Sequence, residues 1–211
     1  MPASRDRVPE RALDVHEPAE LQPARDGPTI IGLGKEALLT RLTTIRSRDH
    51  HAAIDYVFEV ARRRNAFVFT TTYVFAEVIG TVRSGKDSNT VEALWEDLQN
   101  SNISVLHDGE RWDTPADVTD DPDDSPFRPP ISQFKNIQQL YSEQPDLDFK
   151  FHEGSLVLNA ISLEERSRAD SVAVCIASFD GALWALGTRL GVDVLPSTTP
   201  LRSDEAYRAT E

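Results

Sequence analysis

A chain of 211 residues is long enough for one domain of about 150 residues with additional segments, and a 39% hydrophobic fraction is adequate for a single core. Thirty-five acids against 22 bases give a net charge of -13, which excludes nonspecific nucleic-acid binding by net field and restricts any phosphate contact to a local cluster of Lys and Arg. Only four bases are lysine, Lys35, Lys86, Lys135 and Lys150; such an Asp-rich, Lys-poor chain fits either a salt-adapted cytoplasm, where surface charge maintains hydration, or a GC-rich genome.

Residues 1–27 mix Pro, Arg, Glu and Asp without sustained periodicity and read as a disordered arm. The first ordered signal is Thr29-Ile30-Ile31-Gly32-Leu33-Gly34, a strand ending in glycines, followed by Ala37, Leu38, Leu39 and Leu42 at helical spacing. Asp49-His50-His51 then opens a helix whose apolar face is Ala53, Ile54, Val57, Phe58, Val60 and Ala61 and whose end is Arg62-Arg63-Arg64-Asn65. Ala66 to Thr70 is a β-prone run of the length of a buried parallel strand. Thr71-Thr72 caps a helix through Val74, Phe75, Val78, Ile79 and Val82, broken at Ser84-Gly85.

Val91, Leu94, Trp95 and Leu98 mark a further helix and Ile103 to Leu106 a short strand. From about 107 to 130 seven aspartates stand among several prolines, the pattern of a solvated acidic insertion. Phe134, Ile137, Leu140 and Tyr141 predict a short helix, Leu156 to Leu163 another, Ser171 to Ala177 a strand, Leu183 to Leu190 a helix and Val192 to Pro196 a last strand. Residues 198–211 read as a polar tail. The alternation of strand and helix implies a mostly parallel sheet with helices on both faces and a functional crevice beyond the carboxyl ends of the strands.

Several chemistries have no matching motif. There is no GxxxxGK loop, Gly32-Leu33-Gly34 lacks the third glycine of a dinucleotide fingerprint, no GxSxG elbow occurs, and no Cys or His pair has zinc spacing. His50 and His51 read as solvated residues of a helix start, and Arg62 to Arg64 as a solvated helix end where cations complement the dipole. Cys175, the single cysteine, sits in the apolar run Val172 to Ile176 and reads as a core residue with no internal disulfide available. No apolar stretch reaches the roughly 18 residues of a membrane helix and the amino terminus lacks a signal sequence, so no membrane association is expected and the chain reads as cytoplasmic.

Three polar residues remain where strands end or helices face the crevice. Glu77 interrupts the stripe Val74 to Ile79, and a carboxylate there is costly to bury unless a cation meets it. Asp180 follows the strand ending at Ala177; it can line a site or cap the next helix. Asn159 stands in Leu156 to Ile161, where its amide oxygen can ligate a hard cation or satisfy the backbone.

Phe69-Thr70-Thr71-Thr72-Tyr73-Val74-Phe75-Ala76-Glu77-Val78 resembles the PIN-family signature in which a strand, a Thr-Thr turn and a Val-x-x-Glu helix deliver the second invariant acid. Arg48 to Ala53 and Ala177-Ser178-Phe179-Asp180 also resemble their counterparts in toxin-type PIN ribonucleases, and the resemblance spans roughly residues 28–197, interrupted by the acidic insertion. It implies a three-layer α/β fold and an acidic cluster that holds Mg2+ or Mn2+ and activates water against an RNA phosphodiester. Glu77 matches the second acid and Asp180 the fourth. Gly34, followed by Lys35 and Glu36, stands where the first acid belongs, and Asn159 where the third belongs. Two readings follow: a metal-dependent ribonuclease of reduced activity with Glu77, Asp180 and Asn159 as ligands, or an inactive PIN-like module serving as an RNA- or protein-binding scaffold. The implied partners are an RNA substrate, an antitoxin or other protein, and a second copy of the chain.

Overall fold

The computed structural model describes residues 23, 28–42, 48–84, 91–107, 110–112, 131–167 and 172–196. The expected amino-terminal arm except for Pro23, most of the acidic insertion and the polar tail lie outside the described residues.

In chain order the elements are β1 (Thr29–Leu33), α1 (Lys35–Leu42), α2 (Arg48–Arg63), β2 (Phe67–Thr71), α3 (Thr72–Ser84), α4 (Val91–Asn100), β3 (Ile103–His107), β4 (Glu110–Trp112), α5 (Ile131–Glu143), α6 (Phe151–Ser167), β5 (Ala173–Ala177), α7 (Gly181–Arg189) and β6 (Asp193–Leu195). They form one sheet in the order β4-β3-β2-β1-β5-β6. All neighbours run parallel except β4, which turns back antiparallel against β3. The protein is thus a three-layer α/β domain with a mostly parallel sheet, as the alternation of elements predicts.

The order of the strands locates the crevice. From β1 the chain steps outward through β2 to β3, then returns to the other side of β1 for β5 and β6. Because parallel crossovers are right-handed, connections stepping in opposite directions lie on opposite faces. Their divergence between β1 and β5 opens a cleft at the carboxyl ends of those two strands. Leu33 and Ala177 pair at that end, so Gly34 and Ser178 are the first residues to enter the cleft.

The packing follows from the apolar pattern. Every residue of β5 is buried, as befits a central strand covered on both faces. Along α2, Ala53, Ile54, Val57, Val60 and Ala61 are buried while Arg62 and Arg63 face solvent. Gly32 pairs with Phe69, and a Cβ on Gly32 would stand 2.9 Å from the Phe69 ring and 3.3 Å from Leu156; the missing side chain lets α6 close onto the sheet. Full burial of a side chain such as Phe69, Leu38 or Ile54 contributes about 1.5–3 kcal/mol.

Three helices end through left-handed residues. After α2, Asn65 has φ +48°, with Ala66 N–H donating to Ala61 O at 2.8 Å and Asn65 N–H to Arg62 O at 3.2 Å. Gly191 at φ +78° closes α7 in the same way, with Val192 N–H on Gly187 O. Asn102, at φ +53°, follows α4, and Asn tolerates this region better than most side chains.

Three expectations need correction. The segment from about 107 is not irregular from its start: His107 belongs to β3 and pairs with Glu110 of β4. The short helix around Phe134 to Tyr141 is a 13-residue element. Most consequentially, α6 begins at Phe151, five residues before Leu156. Its start is held by Lys150, whose N–H donates to Glu153 Oε2 at 2.6 Å and whose carbonyl accepts from Glu153 and Gly154. Gly154 is tolerated there although glycine disfavours helices, because a Cβ would lie 3.1 Å from the Phe149 ring.

Candidate active-site crevice

Four elements deliver side chains to the cleft at the β1/β5 divide. Gly34 ends β1 with its N–H on Ala177 O at 2.9 Å, and its carbonyl accepts from Leu38 N–H to begin α1. Lys35 and Glu36 follow in the first turn. Thr71 Oγ1 accepts from Val74 N–H and thereby starts α3, the capping expected of the Thr-Thr pair; α3 lines the crevice with Val74, while Glu77 is not a lining residue and meets the crevice only through Lys35 and His152. α6 contributes His152 and Glu153 from its first turn, and the β5–α7 junction contributes Ser178 and Asp180. Gly34, Lys35, Glu36, Lys150, His152, Glu153, Ser178 and Asp180 line a crevice of about 20 Å³, room for roughly one water.

Glu77 is half-exposed, so the expected cost of burying it is largely avoided. Its Oε2 stands 3.8 Å from Lys35 Nζ and its Oε1 4.0 Å from His152 Nδ1. His152 continues the contact, with Nε2 3.8 Å from Glu153 Oε1. A line of polar groups therefore runs Lys35, Glu77, His152, Glu153, in which burial favours the uncharged imidazole. Burial holds the His152 imidazole below its ordinary pKa, opposed by the Glu77 carboxylate. Burial pushes Glu153 up to about 7; the Lys150 N–H bond opposes that rise and the Asp180 charge adds to it.

Asp180 is the amino-terminal cap of α7. Its Oδ1 accepts from Ala182 N–H at 2.8 Å and Leu183 N–H at 3.3 Å, while Ser178 Oγ accepts from Asp180 N–H at 3.1 Å. Asp180→Ala is expected to destabilise the metal-free chain by about 1 kcal/mol, and Asp180→Ser to restore most of it, as read by urea unfolding. A carboxylate retained for a ligand alone would give no such loss.

Asn159 is absent from the residues that line the crevice. It lies six residues beyond Glu153, about 9 Å along α6, and its amide donates to Ser155 O at 2.9 Å as a buried structural group. The acid that α6 presents to the cleft is Glu153, which the sequence reading missed by starting the helix at Leu156. The available signal was the sequence Phe149-Lys150-Phe151-His152-Glu153, with an acid in the first turn of a buried helix. His50 also differs from its expectation: its ring stacks on Phe179, with centroids 4.4 Å apart and planes at 6°, so it packs beside the Asp180 junction. Arg62 and Arg63 are exposed, with Arg63 paired to Glu59, and Cys175 is fully buried, its thiol pushed up to about 12 by burial.

No protein-family model matches the chain, and no curated protein matches it at a significant level. The family resemblance accordingly rests on the chain's own motifs.

The donor set in this arrangement does not fit a resident Mg2+ or Mn2+. Such an ion needs several oxygen ligands at about 2.0–2.2 Å around one point. Among the described residues no three His, Cys, Asp or Glu side chains converge in that way. Gly34 supplies no carboxylate and has no space for one: its Cβ would stand 2.9 Å from both Ser178 Oγ and Leu183 Cδ2. Lys35 brings an ammonium to the carboxylates instead. Among the described residues no helix is long and apolar enough to cross a membrane.

Proposed function

We propose that this chain is a PIN-like module that acts by binding a protein partner and not by cleaving RNA. The observation that supports this most directly is the Lys35 ammonium, 3.8 Å from Glu77 at the position next to Gly34. A nuclease centre of this type needs dense negative charge to hold dications that polarise the phosphate and generate a nucleophile. Here one expected acid is a glycine, the neighbouring residue is cationic, and Asp180 starts a helix.

A protein partner is favoured over RNA by charge. The net charge of -13 repels a phosphate backbone, and in the crevice Lys35 and Lys150 face Glu36, Glu153 and Asp180. The competing reading is a residual Mg2+- or Mn2+-dependent ribonuclease of the toxin type, restrained by an antitoxin. It draws support from Glu77, Glu153 and Asp180 reaching the same end of the sheet.

A cleavage assay separates the two. Mixed-sequence single-stranded and hairpin RNAs incubated with the full chain and Mn2+ are expected to remain intact to the level of a Glu77→Ala/Asp180→Ala control. Cleavage that disappears in that control would reject the binding-module reading and establish the nuclease.

A further inference from the structure

We propose that the groove at the opposite pole of the sheet, where α1, α2 and α4 end, is the docking site for an extended peptide segment of the partner that brings a carboxylate to Arg62. This locates the partner on the surface, and it rests on the reading of the chain as a protein-binding module.

The groove is built by two adjacent turns. α2 passes into β2 through Asn65 and α4 into β3 through Asn102, both left-handed. The register of the two parallel strands, with Val68 opposite Ile103, sets these turns side by side, and Arg41 at the end of α1 adds a third wall. The space between them is about 670 Å³, within the roughly 300–1,000 Å³ of sites that hold a ligand, whereas the crevice at the other pole has room for about one water. Its apolar part is made by buried Ala61 and Val68 and half-buried Phe58.

The polar walls suit a peptide main chain. Glycine is the usual residue at a left-handed helix end, yet both turns carry asparagine, whose amide the turn does not use. Among the described residues the side chains of Asn65, Asn102 and neighbouring Asn100 make no hydrogen bond. A primary amide offers one carbonyl acceptor and N–H donors, the same pair that a peptide unit presents, so each can meet main chain through a donor and an acceptor together. Three such amides line this one groove.

Charge selects what the peptide carries. Arg41 lies over the Phe58 ring, 4.7 Å from its centroid, and its Nη1 is 3.7 Å from Asp55. Glu59 is taken by Arg63. Arg62 is exposed and has no ion pair among the described residues, so the uncommitted charge of the groove is a guanidinium, which a carboxylate matches through charge-assisted hydrogen bonds. An RNA backbone fits worse, because it would bring a phosphate at every nucleotide past the Asp55 and Glu59 carboxylates. A peptide brings its carboxylate only where Arg62 stands.

The test titrates the isotope-labelled full chain with pools of short synthetic peptides, random except for a central Asp, Asn or Lys, and follows the side-chain amide resonances of Asn65, Asn100 and Asn102. The Asp-centred pool is expected to shift these signals and to bind about tenfold more tightly than the Asn-centred one. Arg62→Gln should abolish that preference. Asn65→Gly/Asn102→Gly, which retains the left-handed turns and should retain the melting temperature, should weaken binding of the Asp-centred pool about fivefold. Equal binding of the three pools, or binding unchanged in the folded variants, overturns the proposal. So do groove signals that move with protein concentration alone, with single-stranded RNA, or on changing the aspartates of residues 113–124 to asparagine, since each assigns the groove to another occupant. RNA cleavage that vanishes in Glu77→Ala/Asp180→Ala would sink the binding-module reading whatever these signals do, whereas an unresponsive groove with intact RNA sinks the docking site alone.

Discussion

Glu153→Gln is expected to be more stable than the natural chain at pH 8 and nearly equal to it at pH 5. Glu153 is 4% exposed, and burial raises its pKa from 4.5 to about 7. A raised carboxyl pKa means that the folded state binds the proton more tightly than the unfolded state. The associated stability is fully present below about 4.5, falls as pH rises, and is lost above about 7. The rise corresponds to roughly 3 kcal/mol at most. Glutamine keeps an oxygen for Lys150 N–H without the charge, so urea unfolding of the two proteins should diverge with pH in that window. His152 opposes the trend within each protein, because a lowered imidazole pKa contributes stability that is lost as pH falls. It is common to both, however, and largely cancels in the comparison. Parallel pH profiles for the natural chain and the variant would refute the buried-carboxyl account of Glu153.

Gly34→Asp, the substitution that restores an acid at the end of β1, is expected to weaken the fold without creating metal binding. The new Cβ would stand 2.9 Å from Ser178 Oγ, 2.9 Å from Leu183 Cδ2 and 3.1 Å from Ser178 Cβ. Leu183 can swing its methyl aside, but Ser178 is short and its Oγ is already bound to Asp180 N–H. Pressure on Ser178 therefore reaches the cap of α7 as well as the β1–β5 ladder. Overpacking of this kind costs about 1–3 kcal/mol. Gly34→Ala separates the terms: a comparable loss would assign the cost to the Cβ, and a negligible one would assign it to the carboxylate. A Gly34→Asp protein as stable as the natural chain would show that the close approach is relieved at no cost.

The elements that define the sheet were legible because each long apolar run is flanked by turn or cap chemistry. Ala66 to Thr70 followed by Thr71-Thr72 is one case, and the all-apolar Ala173 to Ala177 is another. What escaped lay at helix starts. Gly154 masks the first turn of α6, since propensity penalises glycine there while the Phe149 contact that compensates is nonlocal. The sequence reading accordingly took Asn159 as the polar residue of this helix, whereas the one that lines the crevice is Glu153. Glu77 and Asp180 were singled out because each stands out against apolar neighbours, but sequence alone left Asp180 open between site and cap. The role of Lys35 required the fold, because only the convergence of β1 and α3 brings its ammonium to Glu77.

Among the described residues, both borders of the sheet are formed by strands of only three residues, β4 and β6. Each border exposes too few main-chain donors and acceptors to template an added strand. A partner that extends the sheet by a strand of its own, a common mode of peptide capture, would find little to pair with here. On the proposed binding-module reading, recognition falls to side chains on the helices and at the mouth of the cleft, where specificity can change by substitution without altering the backbone ladder.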